Sequence, residues 1–211
     1  MTIQTDVQIE FVSDTIAGTA TYVAAAQDPA IGALQLTNTE FPNGSARQLS
    51  ITTSSGEIAG HTVVVSGTNA SDQSITETLS VPTTAATFTG DLYFKTIISA
   101  FTSEPPWVGT ISVGMANIIV QTIPGRTRLK GYSIAYGTVS GAVSFYDGVI
   151  NLPTDFNATP ISFITYTYNT SNLMINFQIP DDGVLYENGL TVTYQSSSTG
   201  STIRMMNLFH G

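Results

Sequence analysis

The side chains that carry most enzyme and metal chemistry are scarce in this sequence. Its 211 residues include no cysteine and only two histidines, His61 and His210. A zinc site requires several Cys, His, Asp or Glu side chains in one place. A Ser-His-Asp site requires a serine on a strained turn, which a G-x-S-x-G motif would signal, and the sequence has no such motif. We therefore predict neither metal-binding nor catalytic nucleophilic residues.

The acidic residues offer two further kinds of chemistry. Asp181-Asp182-Gly183 is the densest acidic point, but it lacks the alternating oxygen ligands of an EF-hand calcium loop. We interpret it as a solvated turn. The two carboxylates of a glycoside hydrolase can come from any two strands. With 15 acidic residues in the chain a pair is available by chance, so it does not indicate this activity. No glycine-rich loop precedes a helix that could hold a phosphate. The sequence therefore predicts no enzymatic activity and no cofactor.

The net charge excludes two classes of partner. Six basic residues against 15 acidic residues give a formal charge of -9, and charged residues make up only 10% of the chain, against about 25% in ordinary domains. Such a surface repels nucleic-acid phosphates and anionic lipids, so we expect neither nucleic-acid binding nor membrane binding. Residues 1–11 lack the basic and apolar regions of a signal peptide, and no apolar run is long enough to span a membrane. We expect a soluble protein.

The single tryptophan lies in a stiff segment, Glu104-Pro105-Pro106-Trp107. Proline fixes the backbone, and a large aromatic ring with one N–H donor can act as a rigid anchor for a partner. Alternatively, the Trp107 side chain folds back and caps the core of its own domain. We take Pro105, Pro106 and Trp107 as candidate interaction residues.

The C-terminal run, residues 203–209, is apolar at both odd and even positions. A strand of this kind either lies centrally, covered on both sides, or turns one face to another subunit. Methionine suits irregular contact surfaces, so Met205, Met206 and Phe209 are also predicted to be interaction residues. Each large apolar side chain contributes roughly 1.5–3 kcal/mol when buried. We therefore expect assembly through this run to be insensitive to salt.

Short alternating runs indicate the elements that position these candidates. Along residues 172–179, Leu173, Ile175, Phe177 and Ile179 alternate with polar or flexible residues, which predicts a strand with one buried face. Tyr166 alternates with threonines in the same way; with Tyr168 it would pack on a sheet or, alternatively, form a platform for a sugar ring.

Turn dipeptides that tolerate positive φ separate these runs at intervals of about 8–12 residues. They are Asn43-Gly44, Asp147-Gly148, Asp182-Gly183 and Asn188-Gly189. This rhythm is typical of β-sandwiches and barrels. The sequence therefore predicts an all-β protein.

We predict two antiparallel β-sandwich domains, immunoglobulin-like or jelly-roll-like. Residues 27–120 would form the first domain and residues 125–211 the second, with residues 1–26 as an N-terminal arm or extra strand. The boundary is placed near Pro124-Gly125, because residues 121–129 concentrate a proline, a glycine and two arginines between strand-like runs.

Three strand-like motifs follow one another within residues 49–114: Val63-Val64-Val65-Ser66-Gly67-Thr68, then Ile75-Thr76-Glu77-Thr78, then Tyr93-Phe94-Lys95-Thr96-Ile97. Their order resembles that in β-sandwich modules of structural proteins from tailed-bacteriophage virions. The second half, with Arg128-Leu129-Lys130-Gly131-Tyr132 and Phe145-Tyr146-Asp147, looks like another such module. The resemblance carries no catalytic residue over to this chain.

The resemblance implies a non-enzymatic component of a phage virion, assembled in the cytoplasm of the bacterial host. We expect a capsid decoration or cement protein that binds the head shell through apolar and β-edge contacts. Its partners would be the major capsid protein or other virion proteins, and identical subunits would form a homo-oligomer. The alternatives are a head-tail connector, a tail or fibre-base protein, and a glycan-binding adhesin module.

Overall fold

The computed structural model describes residues 8–13, 18–29, 32–54, 61–81, 84–103, 107–136, 141–148, 162–166, 174–196 and 203–211. Antiparallel strands form nearly all the regular structure in these ranges, and the one helical element there is a 3-10 turn at Pro42–Gly44. The all-β prediction is confirmed. Within the described ranges, no helix is long and apolar enough to cross a membrane.

The chain divides into two compact units. The first unit is Gly18–Val120, and the second contains the described residues of Met1–Ala17, Gln121–Ile150 and Ala158–Gly211. The division falls between Val120 and Gln121, inside a strand and slightly before the predicted boundary at Pro124-Gly125. The predicted N-terminal arm, residues 1–26, contributes to both units.

The first unit contains eight strands within the described residues: β2 (Thr19–Gln27), β3 (Gly32–Ala33), β4 (Ala46–Thr53), β5 (Thr62–Thr68), β6 (Ser74–Ser80), β7 (Thr87–Phe94), β8 (Thr96–Thr102) and most of β9 (Ile111–Ile123). Strands β2, β9, β4 and β7 pair in that order, and strands β3, β8, β5 and β6 pair in a second sheet. Thr, Val and Ile dominate these strands, as expected for pleated, half-buried surfaces.

Both sheets of the first unit contribute to one apolar core. Leu49 and Ile51 from β4 join Val63 and Val65 from β5 in a cluster of fully buried side chains, which Phe94 of β7 extends. Alternate residues along each strand therefore point inward, and the residues between them point outward. This is the arrangement of a β-sandwich.

The second unit contains β1 (Gln8–Ser13), β10 (Thr127–Tyr136), β11 (Gly141–Asp147), β12 (Ser162–Tyr166), β13 (Met174–Gln178), β14 (Val184–Tyr186), β15 (Leu190–Ser196) and β16 (Ile203–His210). One sheet has the order β1-β16-β10-β13, with β14 also paired to β10, and another contains β12-β11-β15. Tyr132 of β10 stacks on Phe145 of β11, with ring centroids 5.5 Å apart, so the sheets meet through aromatic side chains. The prediction of two sandwich domains stays a prediction for this unit.

The expectation for residues 172–179 is only partly correct. Strand β13 forms there, but among the described strands it is the last of its sheet. Phe177, predicted to be buried, is 48% exposed and rests on Tyr132 with centroids 5.4 Å apart. Met174 on the opposite face is 52% exposed. Among the described strands none flanks β13 on its outer side, so side chains at this margin of the sheet are only partly covered.

The predicted turns are confirmed in their backbone geometry. The second residue of each dipeptide has a positive φ, at 61° for Gly44, 107° for Gly148, 79° for Gly183 and 105° for Gly189. Glycine adopts this conformation without the steric penalty that a Cβ atom brings.

Gly114 lies in β9, where β2 and β4 pair with it from opposite sides. A Cβ atom at this position would overlap the backbone of Thr19 and Ala20 in β2. We expect Gly114→Ala to lower the free energy of unfolding by about 1–3 kcal/mol, because the sheet must open to admit the methyl group. Urea denaturation measures this; an unchanged midpoint would contradict the close strand packing.

Candidate interaction site

Trp107 lies against the core of the first unit. Its indole Nε1 donates a hydrogen bond to the backbone oxygen of Ser103 at 2.9 Å. The ring stacks on His61 with centroids 4.4 Å apart and packs against the apolar cluster of the two sheets. The structure thus places Trp107 as a cap on the core, the alternative that the sequence left open. Pro105 and Pro106 lie outside the described residues.

The C-terminal strand β16 is central in its sheet, between β1 and β10. Met206, Leu208 and His210 are buried, and Phe209 between them is half-buried on the other face. The side chain of Met205 lies outside the described residues. Of the three predicted contact residues, Met206 therefore faces inward and Phe209 faces outward.

Phe209 borders an open cavity with a volume of about 330 Å³. Its other lining residues are Lys130, Gln178 and Ile179. In the sheet register, Gly131 pairs with Phe209 on one side and with Gln178 on the other. Cross-strand partners place their side chains on one face, so Phe209 and Gln178 flank Gly131, where the backbone oxygen of Phe177 lies too close to admit a side chain. The cavity combines an aromatic ring, an aliphatic side chain, an amide and one cation.

The cavity adjoins the edge of the sheet that β13 forms among the described strands. Gln178 ends β13, the edge strand on which Met174 and Phe177 are about half exposed. Natural proteins usually protect such edges with charged residues or proline, because an apolar edge strand readily pairs with another chain. We define the edge surface as Met174, Phe177, Gln178, Ile179, Phe209 and Lys130.

A buried carboxylate, Glu77 of β6, joins the two sheets of the first unit. Gln48 pairs with Tyr93 and Ser50 pairs with Thr89, so β7 bulges at the residues between. The Glu77 carboxylate, only 8% exposed, accepts hydrogen bonds from the backbone N–H groups of Asp91 and Leu92 in this bulge. Bulges leave N–H groups without ladder partners, and Glu77 satisfies two of them.

Gly90 makes this approach possible, since any side chain there would collide with the carboxylate of Glu77. The second carboxylate oxygen, Oε2, is buried and accepts no hydrogen bond within the described part of the chain. Burial raises the pKa of Glu77, the two backbone hydrogen bonds lower it in part, and the neighbouring charge of Asp91 raises it. The net direction is upward from the ordinary value.

Metal and sugar chemistry gain no support from the described residues. Among them, no three His, Asp or Glu side chains are grouped so that they could hold a metal ion. The tyrosine platform cannot be located, because Tyr168 and the side chain of Tyr166 lie outside the described ranges. No protein-family model and no curated protein matches this sequence.

Sequence reasoning found Phe209 but missed Lys130, Gln178 and Ile179, which join it only through strand pairing. It also missed the role of Glu77, whose polar character within an alternating run was the available signal.

Replacing Trp107 tests its role as a cap. We expect Trp107→Ala to lower the free energy of unfolding by roughly 1–3 kcal/mol, because a half-buried indole loses its apolar contacts. Trp107→Phe, which keeps a ring over His61 but removes the N–H donor, should cost about 1 kcal/mol. Urea denaturation of both variants measures the difference. Unaltered stability in Trp107→Ala would contradict the role as a cap.

The raised pKa of Glu77 predicts an unusual pH dependence of the free energy of unfolding. Because its pKa is higher in the folded chain than in the unfolded chain, the folded state binds more protons between the two values. The free energy of unfolding should therefore fall as the pH rises upward from about 4.5, the ordinary glutamate value. Glu77→Gln should remove this slope and match or exceed the wild type at neutral pH. Glu40→Gln, at an exposed glutamate, is the matched control. Equal pH profiles for wild type and Glu77→Gln would contradict the assignment.

Proposed function

We propose that this protein is a non-enzymatic structural component of a phage virion, and specifically a capsid decoration or cement protein that binds the major capsid protein. The motifs that resemble virion proteins fall on β5, β6, β7 and β8 of the first unit. Head-tail connector, tail and fibre-base proteins are the alternatives within the same class.

The observation that carries the proposal is the edge surface. A strand that has a described partner on one side only, with two half-exposed apolar side chains and a neighbouring cavity lined by Phe209, is suited to a protein partner. The partner would add a strand to β13 through backbone hydrogen bonds and insert an apolar side chain beside Phe209. Such contacts are the apolar and β-edge contacts expected of a protein that binds a shell.

Mass spectrometry of purified virions with copy-number determination tests the proposal. Hundreds of copies per particle would indicate capsid decoration, and six or twelve copies would indicate a collar or tail component. Absence from the particle would contradict the proposal altogether.

A binding assay with undecorated particles tests the edge surface. We expect Phe209→Ser to reduce occupancy at least tenfold, because the aromatic contact in the cavity is lost. Val108→Ser, at an exposed apolar residue in a loop of the other unit, is the control.

The same binding assay tests the predicted insensitivity to salt. Wild-type occupancy of the particles should stay nearly constant from about 0.05 to 0.5 M salt, a range over which charge pairing is strongly screened. A steep loss with salt would show that charge pairing holds the protein to the shell.

A further inference from the structure

Within the described residues, one face of the first unit carries charge only at its margin, where the exposed residue Glu40 pairs with Thr96. Strands β3, β5, β6 and β8 contain one charged residue, Glu77, and it is buried. The outward positions of the three long strands carry small hydroxyl or apolar side chains. We call these residues the hydroxyl face: Thr62, Val64, Ser66, Thr68, Ser74, Thr76, Thr78, Ser80, Thr96, Ile98, Ser99 and Phe101.

Apolar side chains lie in the middle of the hydroxyl face. Phe101 is 47% exposed and pairs with Ala33 on one side and Val64 on the other, which forms an apolar row across three strands. Ile98 lies at a bulge between the Ser66–Ser99 pair and the Gly67–Ile97 pair and is 67% exposed. Adjoining exposed apolar residues of this kind mark contact surfaces.

The hydroxyl groups around this row can form hydrogen bonds with other hydroxyl groups. Ser66 and Thr76 share a hydrogen bond of 3.0 Å, and Thr68 and Thr96 share one of 2.7 Å, with either hydroxyl able to donate. A hydroxyl group is both donor and acceptor, so it can bond to an identical group on another molecule in either direction. An isologous contact, in which the same patch faces itself, is compatible with this property.

We propose that the hydroxyl face is the contact surface for a second copy of this chain, with the two sheets packed face to face. Each copy carries a formal charge of -9, so two charged faces would repel each other, whereas two faces that carry charge only at the margin, at Glu40 among the described residues, bring few like charges together. The ion pair of Lys95 with Asp72, at 2.7 Å, lies beside this sheet and is neutral as a pair.

The size of the face indicates a reversible contact. Three strands of seven residues cover about 23 Å by 15 Å, or roughly 350 Å². Stable complexes bury about 800 Å² on each partner. We therefore expect the isolated protein to be monomeric when dilute and to associate as its concentration rises toward the millimolar range.

Sedimentation equilibrium from about 10 μM to 1 mM tests the inference with the full chain. The wild type should show a monomer–dimer equilibrium that does not weaken when salt is added. Thr78→Glu places a like charge on each of the two faces and should weaken association at least tenfold. Phe101→Ser removes the centre of the apolar row and should have a similar effect.

Matched variants outside the face provide controls. Thr89→Glu adds the same charge at an exposed threonine of β7 in the other sheet, and Val108→Ser removes an equally exposed apolar side chain from a loop. Both should stay within twofold of the wild type. A monomer at 1 mM, or association that Thr78→Glu and Phe101→Ser leave unchanged, would overturn the inference. It concerns the isolated protein, so it stands or falls independently of the virion proposal.

Discussion

Burial of one apolar cluster between two sheets constrains every strand residue of the first unit. Side chains of β4, β5, β7 and β9 fill this cluster, and the strand period of two then directs their neighbours outward. The outward residues do not contribute to the cluster, so their chemistry reflects solvent and partners. On the described strands of the sheet β3-β8-β5-β6 that chemistry is hydroxyl and apolar, and the exposed charge of Glu40 lies at the margin. The core thus creates the face that we assign to self-association.

Charge is so scarce in this chain that single charged groups have distinct roles. Glu77 satisfies backbone N–H groups of the β7 bulge and thereby ties the edge strand of one sheet to the edge strand of the other. Hydroxyl pairs such as Thr52–Thr87 and Thr122–Thr191 supply cross-strand links that ion pairs provide in other proteins.

Alternation and turn dipeptides predicted the all-β class and the positive φ of Gly44, Gly148, Gly183 and Gly189, because both depend on local sterics. The exposure of Phe177 was not predictable, since it depends on β13 being an edge strand, which strand order alone decides. The edge surface could not be predicted from the sequence either. Lys130 and Phe209 are 79 positions apart in the sequence, and they come together only because β10 pairs with β16. From the sequence, Trp107 was either an anchor for a partner or a cap on the core. Its hydrogen bond to the backbone oxygen of Ser103 holds it over the core, and the sequence does not reveal that bond.

Site-directed cross-linking tests most directly the central claim, that the charge-poor hydroxyl face brings identical chains together. The chain has no native cysteine, so Ser66→Cys places a single thiol in the middle of the hydroxyl face, and Thr89→Cys places one on the opposite sheet. At high protein concentration a short bismaleimide should link Ser66→Cys into covalent dimers and leave Thr89→Cys monomeric. Equal yields from the two variants, or no dimer from Ser66→Cys, would contradict the claim.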